Sequence, residues 1–174
     1  MKIILIRHGK TAGNIKGRYI GKTDEPLCEE GINEIKKNTY PKADFVISSP
    51  MLRCRQTAEI IYGKIDYIEN DLRECDFGEF ENKCFEELKD NPDYLKWMES
   101  GGTIPFPGGE SREDFSKRCL KAFERLIFKY SDHNTIAFVV HGGTVMAAAQ
   151  KYLGGDFYDY QLKNGEYMLL SLYE

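Results

Sequence analysis

Short runs dominated by apolar residues set the frame for this chain: Ile3 to Ile6, Phe45-Val46-Ile47, a weaker Ile65 to Ile68, and Thr135 to Val140. A strand that is apolar on consecutive rather than alternate residues is covered on both faces, the habit of parallel strands flanked by helices. Between the runs, apolar residues recur every three or four positions. Met51, Cys54, Ala58 and Ile61 share one face up to Gly63; Phe115, Cys119, Ala122, Phe123, Leu126 and Ile127 share another. Strands alternating with amphipathic helices predict an α/β protein with a mainly parallel sheet. Ser49-Pro50 reads as an N-cap followed by proline at the first helical position, and Ser111 with Asp114 as a capping-box pattern. Cys28 to Asn38 reads as a further helix, despite cysteine being a poor cap, and Tyr167 to Leu172 as a last strand at an edge.

At 174 residues and 41% hydrophobic, the chain is expected to form one domain, residues 1–174, with a single sizeable core. The stretch from Phe77 to Glu110 differs in character, carrying Asn91-Pro92, Gly101-Gly102, Pro105 and Pro107-Gly108-Gly109. It reads as an insertion, about 77–110, of short helices and irregular loop. Lys and Arg total 24 against 28 Asp and Glu, a net charge of −4, so broad binding to nucleic acid is not expected. The five cysteines include no CxxC pair and read as small buried hydrophobes. The four apolar residues before Arg7 are too few for a signal peptide, and no run approaches a membrane span, so a reduced cytoplasm is the expected home.

In open α/β sheets, ligands bind beyond the carboxyl ends of the strands. The first apolar run is followed by Arg7-His8-Gly9 and the second by Ser48-Ser49-Pro50, with Arg53 in the first turn of the next helix. Arg73 and Glu74 follow the third, and His141-Gly142-Gly143 the fourth. Of the chain's three histidines, two therefore stand at strand ends followed by glycine. If those strands are neighbours, both imidazoles share one crevice with Arg7, Arg53 and Glu74. Guanidinium forks match phosphate oxygens and stay charged at any working pH. Helix N-termini add N–H donors, and glycine lets the backbone come close. A neutral imidazole there can act as a nucleophile, with Glu74 passing a proton to the leaving alkoxide; Asp71, Asp76 and Glu79 are neighbouring alternatives for that task.

Arg7-His8-Gly9-Lys10-Thr11 with Asn14 resembles the signature of the histidine phosphatase superfamily, which includes the cofactor-dependent phosphoglycerate mutases. The resemblance continues through Gly17-Arg18-Tyr19-Ile20-Gly21, Ser48-Ser49-Pro50 with Arg53, Glu74, Gly109-Glu110-Ser111 and His141-Gly142-Gly143, covering nearly the whole chain in order. It implies a three-layer α/β/α sandwich with the helical insertion over the active site. It also implies His8 as nucleophile, Arg7, Arg53 and His141 as phosphate clamp, and Glu74 as proton donor. Asn14 and the Gly142 N–H become further phosphate ligands, and Thr11 and Arg18 supporting or rim residues. No metal and no cofactor is implied. The partner is a small phosphorylated metabolite, with neither nucleic acid nor membrane, and the chain a monomer or homodimer. Length, Gly17-Arg18-Tyr19 and Gly109-Glu110-Ser111 are similar to α-ribazole-5′-phosphate phosphatases, making that ester the leading specific substrate. Two departures, Lys10 where glutamate is common and Ile20 where glutamine is common, are expected to alter the pocket mouth.

Three other readings compete. Two histidines and a glutamate are a zinc ligand set, but Arg7 and Arg53 would stand against the cation. A non-catalytic phospholigand-binding module would need only the arginines and helix N-termini. A mutase would carry a longer insertion, enclosing its intermediate from water. The aromatic residues Phe77, Phe80, Tyr94, Trp97 and Phe106 read as packing of the insertion rather than as a substrate cage.

Overall fold

The computed structural model describes residues 1–172. Five strands form one sheet: β1 (Lys2–Arg7), β2 (Phe45–Ser48), β3 (Tyr67–Ile68), β4 (Thr135–Val140) and β5 (Tyr167–Ser171), in the order β3-β2-β4-β1-β5. All neighbours run parallel except β5, which lies antiparallel on β1 at the edge. The main helices are α1 (Ala12–Ile15), α2 (Glu29–Lys37), α3 (Leu52–Tyr62), α4 (Phe85–Leu88), α5 (Pro92–Glu99), α6 (Arg112–Lys129) and α7 (Gly142–Leu153).

The apolar runs are continuous because both faces of the sheet are covered. Ile3, Leu5, Ile136, Phe138 and Val140 pack with Phe123, Leu126, Val145 and Ala148 of α6 and α7. Ile4, Ile6, Ala137 and Val139 pack with Cys54 and Ala58 of α3 on the other face. The result is the expected α/β/α sandwich. A third, separate cluster of Cys75, Phe80, Leu88, Tyr94, Phe106, Phe115 and Cys119 lies beneath residues 77–110. No helix among the described residues is long and apolar enough to cross a membrane.

Differences from the sequence reading are local. The third strand contracts to Tyr67–Ile68. Helix α3 starts two residues late, with Met51 rather than Ser49 at the cap and no hydroxyl from its own chain end satisfying the first turn. Instead Asp24 Oδ1, from the loop before α2, accepts from Leu52 N at 2.6 Å. Cys28 caps α2 after all, its sulfur accepting from Gly31 N at 3.4 Å. Gly31 is required there, since any Cβ would collide with the Lys10 backbone. Three cysteines are buried as expected, but Cys28 and Cys84 are half-exposed at helix N-caps.

Candidate active site

The register of the central pair places the two histidines. Arg7 of β1 is level with Val140 of β4, so His8 and His141 leave the sheet side by side. Their ring centroids lie 5.3 Å apart at 67°, edge to face. His8 Nδ1 is 2.7 Å from the Gly9 carbonyl, which can only accept; Nδ1 therefore carries the proton and Nε2 keeps its lone pair. Arg53 Nη2 donates to His141 Nδ1 at 3.4 Å, so the His141 proton sits on Nε2 and is donated to Ser49 Oγ at 2.7 Å. Burial first, and the Arg53 charge second, hold both imidazoles well below the ordinary histidine pKa. Both rings are neutral at working pH. The third histidine, His133, stacks on Phe45 away from this site.

The arginines differ in placement. Arg7 lies on the cavity wall and gives Nη1 to the Leu162 carbonyl at 2.6 Å, while its Nε is buried without a partner. Arg53 is wholly buried, giving Nη1 to Thr23 O (2.9 Å) and Nη2 to Gly21 O (2.9 Å) and Ile20 O (3.3 Å). Those carbonyls belong to a loop that Glu81 Oε1 fixes by accepting from Gly21 N, Thr23 N and Thr23 Oγ1. Arg53 Nε, too, has no protein acceptor. Buried arginine nitrogens without partners are rare in native proteins and ask for an explanation. Neither Arg53 nor His141 lines the cavity; both stand immediately behind its wall. Sequence reasoning put them in direct phosphate contact. Arg73 points elsewhere, exposed and paired with Asp71.

The cavity is about 370 Å³. Glu74 is the carboxylate on its wall among the described residues, which separates it from Asp71, Asp76 and Glu79. Its Oε1 accepts from Cys75 N at 2.9 Å and its Oε2 is 3.7 Å from His141 Nδ1. Burial raises its pKa above the ordinary carboxylate value despite the nearby Arg53, Arg7 and Arg118. Gly142 and Gly143 open α7 beside the cavity, with no side chain capping their N–H groups. Asn14 lines it as well; its Oδ1 accepts from Thr11 N (3.1 Å) and Asn164 Nδ2 (3.2 Å), which leaves its own NH₂ to donate. Thr11 is buried in the α1 capping box and acts by fixing Asn14. Arg18 is at the rim, tied to the Asn82 carbonyl and Glu87.

Lys10 does not reach the pocket mouth. Its Nζ is held by Glu30 (2.6 Å) and Glu34 (2.7 Å) on α2. Ile20 does line the cavity. The aromatic set divides: Phe80 and Tyr94 are core, whereas Phe77, Trp97 and Phe106 form cavity wall together with Tyr19, Phe115, Phe157 and Tyr158. The sequence places Ser49 at a strand end, as a helix cap and within the family resemblance, but assigns it no partner in the site. Its position at a strand end beside the histidine-bearing strand was the available signal. Phe157 and Tyr158, from a short helical turn at Phe157–Tyr160, gave none. A divalent cation does not fit the two histidines and Glu74, because His141 has one ring nitrogen occupied by an arginine and the other by Ser49.

An α/β/α sheet with paired imidazoles, an arginine on the cavity wall and an uncapped helix start at its carboxyl edge has the chemistry to hold a phosphoryl group. The sequence profile of the histidine phosphatase superfamily (branch 1) matches residues 3–174, and the chain belongs to that superfamily. It is 30% identical to phosphoserine phosphatase 1 of Hydrogenobacter thermophilus, over all of this chain and 88% of that protein. It is 29% identical to the adenosylcobalamin/alpha-ribazole phosphatase of Salmonella typhimurium, over 83% of this chain and 76% of that one. The alpha-ribazole phosphatase from Shigella flexneri superimposes with a TM-score of 0.88 at 24% identity, over 100% of this chain and 92% of that chain, a likeness of fold. Membership of the superfamily and these relatives, themselves named as phosphatases, support a hydrolase.

Proposed function

We propose that this phosphatase hydrolyses the phosphomonoester of a small, ring-bearing metabolite through a phosphohistidine at His8. The observation that carries the reading is the His8 tautomer: Nδ1–H is anchored on Gly9, so the bare Nε2 is the atom left to attack. Nε2 bonds to phosphorus as the ester P–O bond breaks, and protonated Glu74 gives its proton to the leaving oxygen. Water then attacks the phosphohistidine while the Glu74 carboxylate takes its proton. Inorganic phosphate leaves and both groups are restored. Arg7, the Asn14 NH₂ and the Gly142 N–H bind the phosphoryl oxygens. Arg53 and His141 contribute from behind, by charge and by fixing the surroundings of His8.

The aromatic wall of Tyr19, Phe77, Trp97, Phe106, Phe157 and Tyr158 favours an organic group with a flat ring. Together with the Salmonella relative, it supports α-ribazole 5′-phosphate as the specific substrate. A phosphomonoester screen with EDTA present, scored by kcat/KM, tests this; the ester should rank above phosphoserine, 3-phosphoglycerate and ribose 5-phosphate. Preference for 3-phosphoglycerate primed by a bisphosphate would establish a mutase instead. Rapid quench with labelled substrate should trap phosphate on His8, and an unlabelled His8 at full turnover would rule the intermediate out.

A further inference from the structure

Glu74 lies in an irregular stretch after the helical turn Asn70–Leu72, with no strand ladder to fix it. One guanidinium, with the Cys119 thiol beside it on Asp71 O at 3.6 Å, holds the carbonyls of this stretch from behind. Arg118, on α6, gives Nη1 to Asp71 O (2.7 Å) and Arg73 O (3.1 Å), and Nη2 to Glu74 O (3.4 Å). Its remaining donors form a fork on Glu110, Nε to Oε1 at 2.9 Å and Nη2 to Oε2 at 2.7 Å. Glu110 in turn clasps the far end of the stretch: Oε2 accepts from Asp76 N at 3.0 Å, and Glu110 N donates to Asp76 O at 2.9 Å.

An arginine has five N–H donors, and here all five have acceptors. Arg7 and Arg53, each with a buried Nε lacking a partner, present the opposite case. Arg118 has no donor left for a substrate. Its effect reaches the cavity by two short routes. The Glu74–Cys75 backbone it holds supplies the N–H that orients the Glu74 carboxyl. Its guanidinium also lies 5.3 Å over the ring of Phe115, a cavity-wall residue against which a Cβ on Gly143 would press at 2.7 Å.

We propose that Arg118, clasped to Glu110, is a positioning residue that aims the Glu74 carboxyl at the leaving-group oxygen. This rests on the reading of Glu74 as proton donor. The role is selective for substrates that need the proton. A nitrophenolate leaves without one, whereas a primary alkoxide does not.

The test compares p-nitrophenyl phosphate with 2-phenylethyl phosphate, a ring-bearing alkyl ester. Arg118→Met should lower kcat/KM on the alkyl ester, which reports phosphorylation of His8 and not the later hydrolysis common to both esters, by about 10- to 100-fold, the size expected of a displaced catalytic group. On p-nitrophenyl phosphate it should stay within about threefold, which also shows that the fold and the His8 step survive. Because Arg118 opposes the rise in the Glu74 pKa, its loss should also move the alkaline limb of the alkyl-ester profile to higher pH. Equal losses on both esters, or none on either, would overturn the proposal. Glu74→Gln run in parallel separates the two claims. If it shows no leaving-group selectivity, the proton-donor reading fails; if it does and Arg118→Met does not, only the positioning role fails. Should Arg118→Met not fold, Arg118→Lys, which keeps the charge but has too few donors to hold the three carbonyls and the Glu110 fork together, is judged by the same comparison.

Discussion

At the scale of the residue, two buried groups are held away from their ordinary ionisation, in opposite senses. His8 stays neutral well below the ordinary histidine range, and Glu74 holds its proton above the ordinary carboxylate range, burial being the first cause of both. Activity on alkyl esters should therefore be bell-shaped. Its acid limb reports protonation of His8 and its alkaline limb ionisation of Glu74. Glu74→Gln should lower kcat on alkyl esters by roughly 10²- to 10⁴-fold and abolish the alkaline limb, as pH–rate profiles will show. The same burial has a stability consequence. A carboxyl whose folded pKa is raised favours the folded state at low pH and loses that contribution as pH rises through the folded value. Glu74→Gln should thus melt higher than the native protein above neutrality, with the gap closing in acid. His8→Ala should remove turnover by at least ~10³-fold while leaving the fold intact. The His8, Arg7 and His141 positions were legible because strand ends can be read from apolar runs. Burial of Arg53 was not. An arginine on an amphipathic helix reads as solvated, and its acceptors come from a loop thirty-odd residues away.

At the scale of the element, the ends of helices carry the function, and foreign residues complete them. Helix α3 has its first N–H satisfied by Asp24 rather than by a cap of its own. Asp24→Ala should cost about 1 kcal/mol, a typical cap value, and lower the melting temperature by ~2–4 °C. It should also lower kcat/KM, since α3 bears Arg53. A melting point and a kcat/KM both unchanged would show the cap to be idle. The start of α3 was misread because Ser49 serves a tertiary partner, His141, which no local pattern reveals. Helix α6, by contrast, was legible but for one detail: Ser111 caps it and the six residues read as its apolar face are its buried residues, but Asp114 Oδ2 accepts from Ser111 Oγ rather than from its backbone N–H, so the box is only half formed. Lys10 illustrates the limit from the other side, its charge drawn off by two glutamates on α2.

At the scale of the molecule, the proposed phosphate site gathers β1, β4, α7 and the Glu74 loop, all distant in sequence, so an anion bound there should brace the whole fold. Orthovanadate at a hundred times its dissociation constant should add about 2.7 kcal/mol to unfolding, read as a higher melting temperature. Arg7→Met should lose most of that increment. EDTA should change neither this shift nor the turnover. The sheet and its two main cores were apparent from periodicity alone, and the third cluster only as an insertion of different composition. That division has a further meaning. His8 and His141 follow β1 and β4 at the middle of the sheet, whereas Trp97 and Phe106 belong with the separate satellite cluster. Replacements among those rings can redraw which alcohol is accepted without unsettling the bond-breaking apparatus, leaving one half of the protein free to drift while the other stays put.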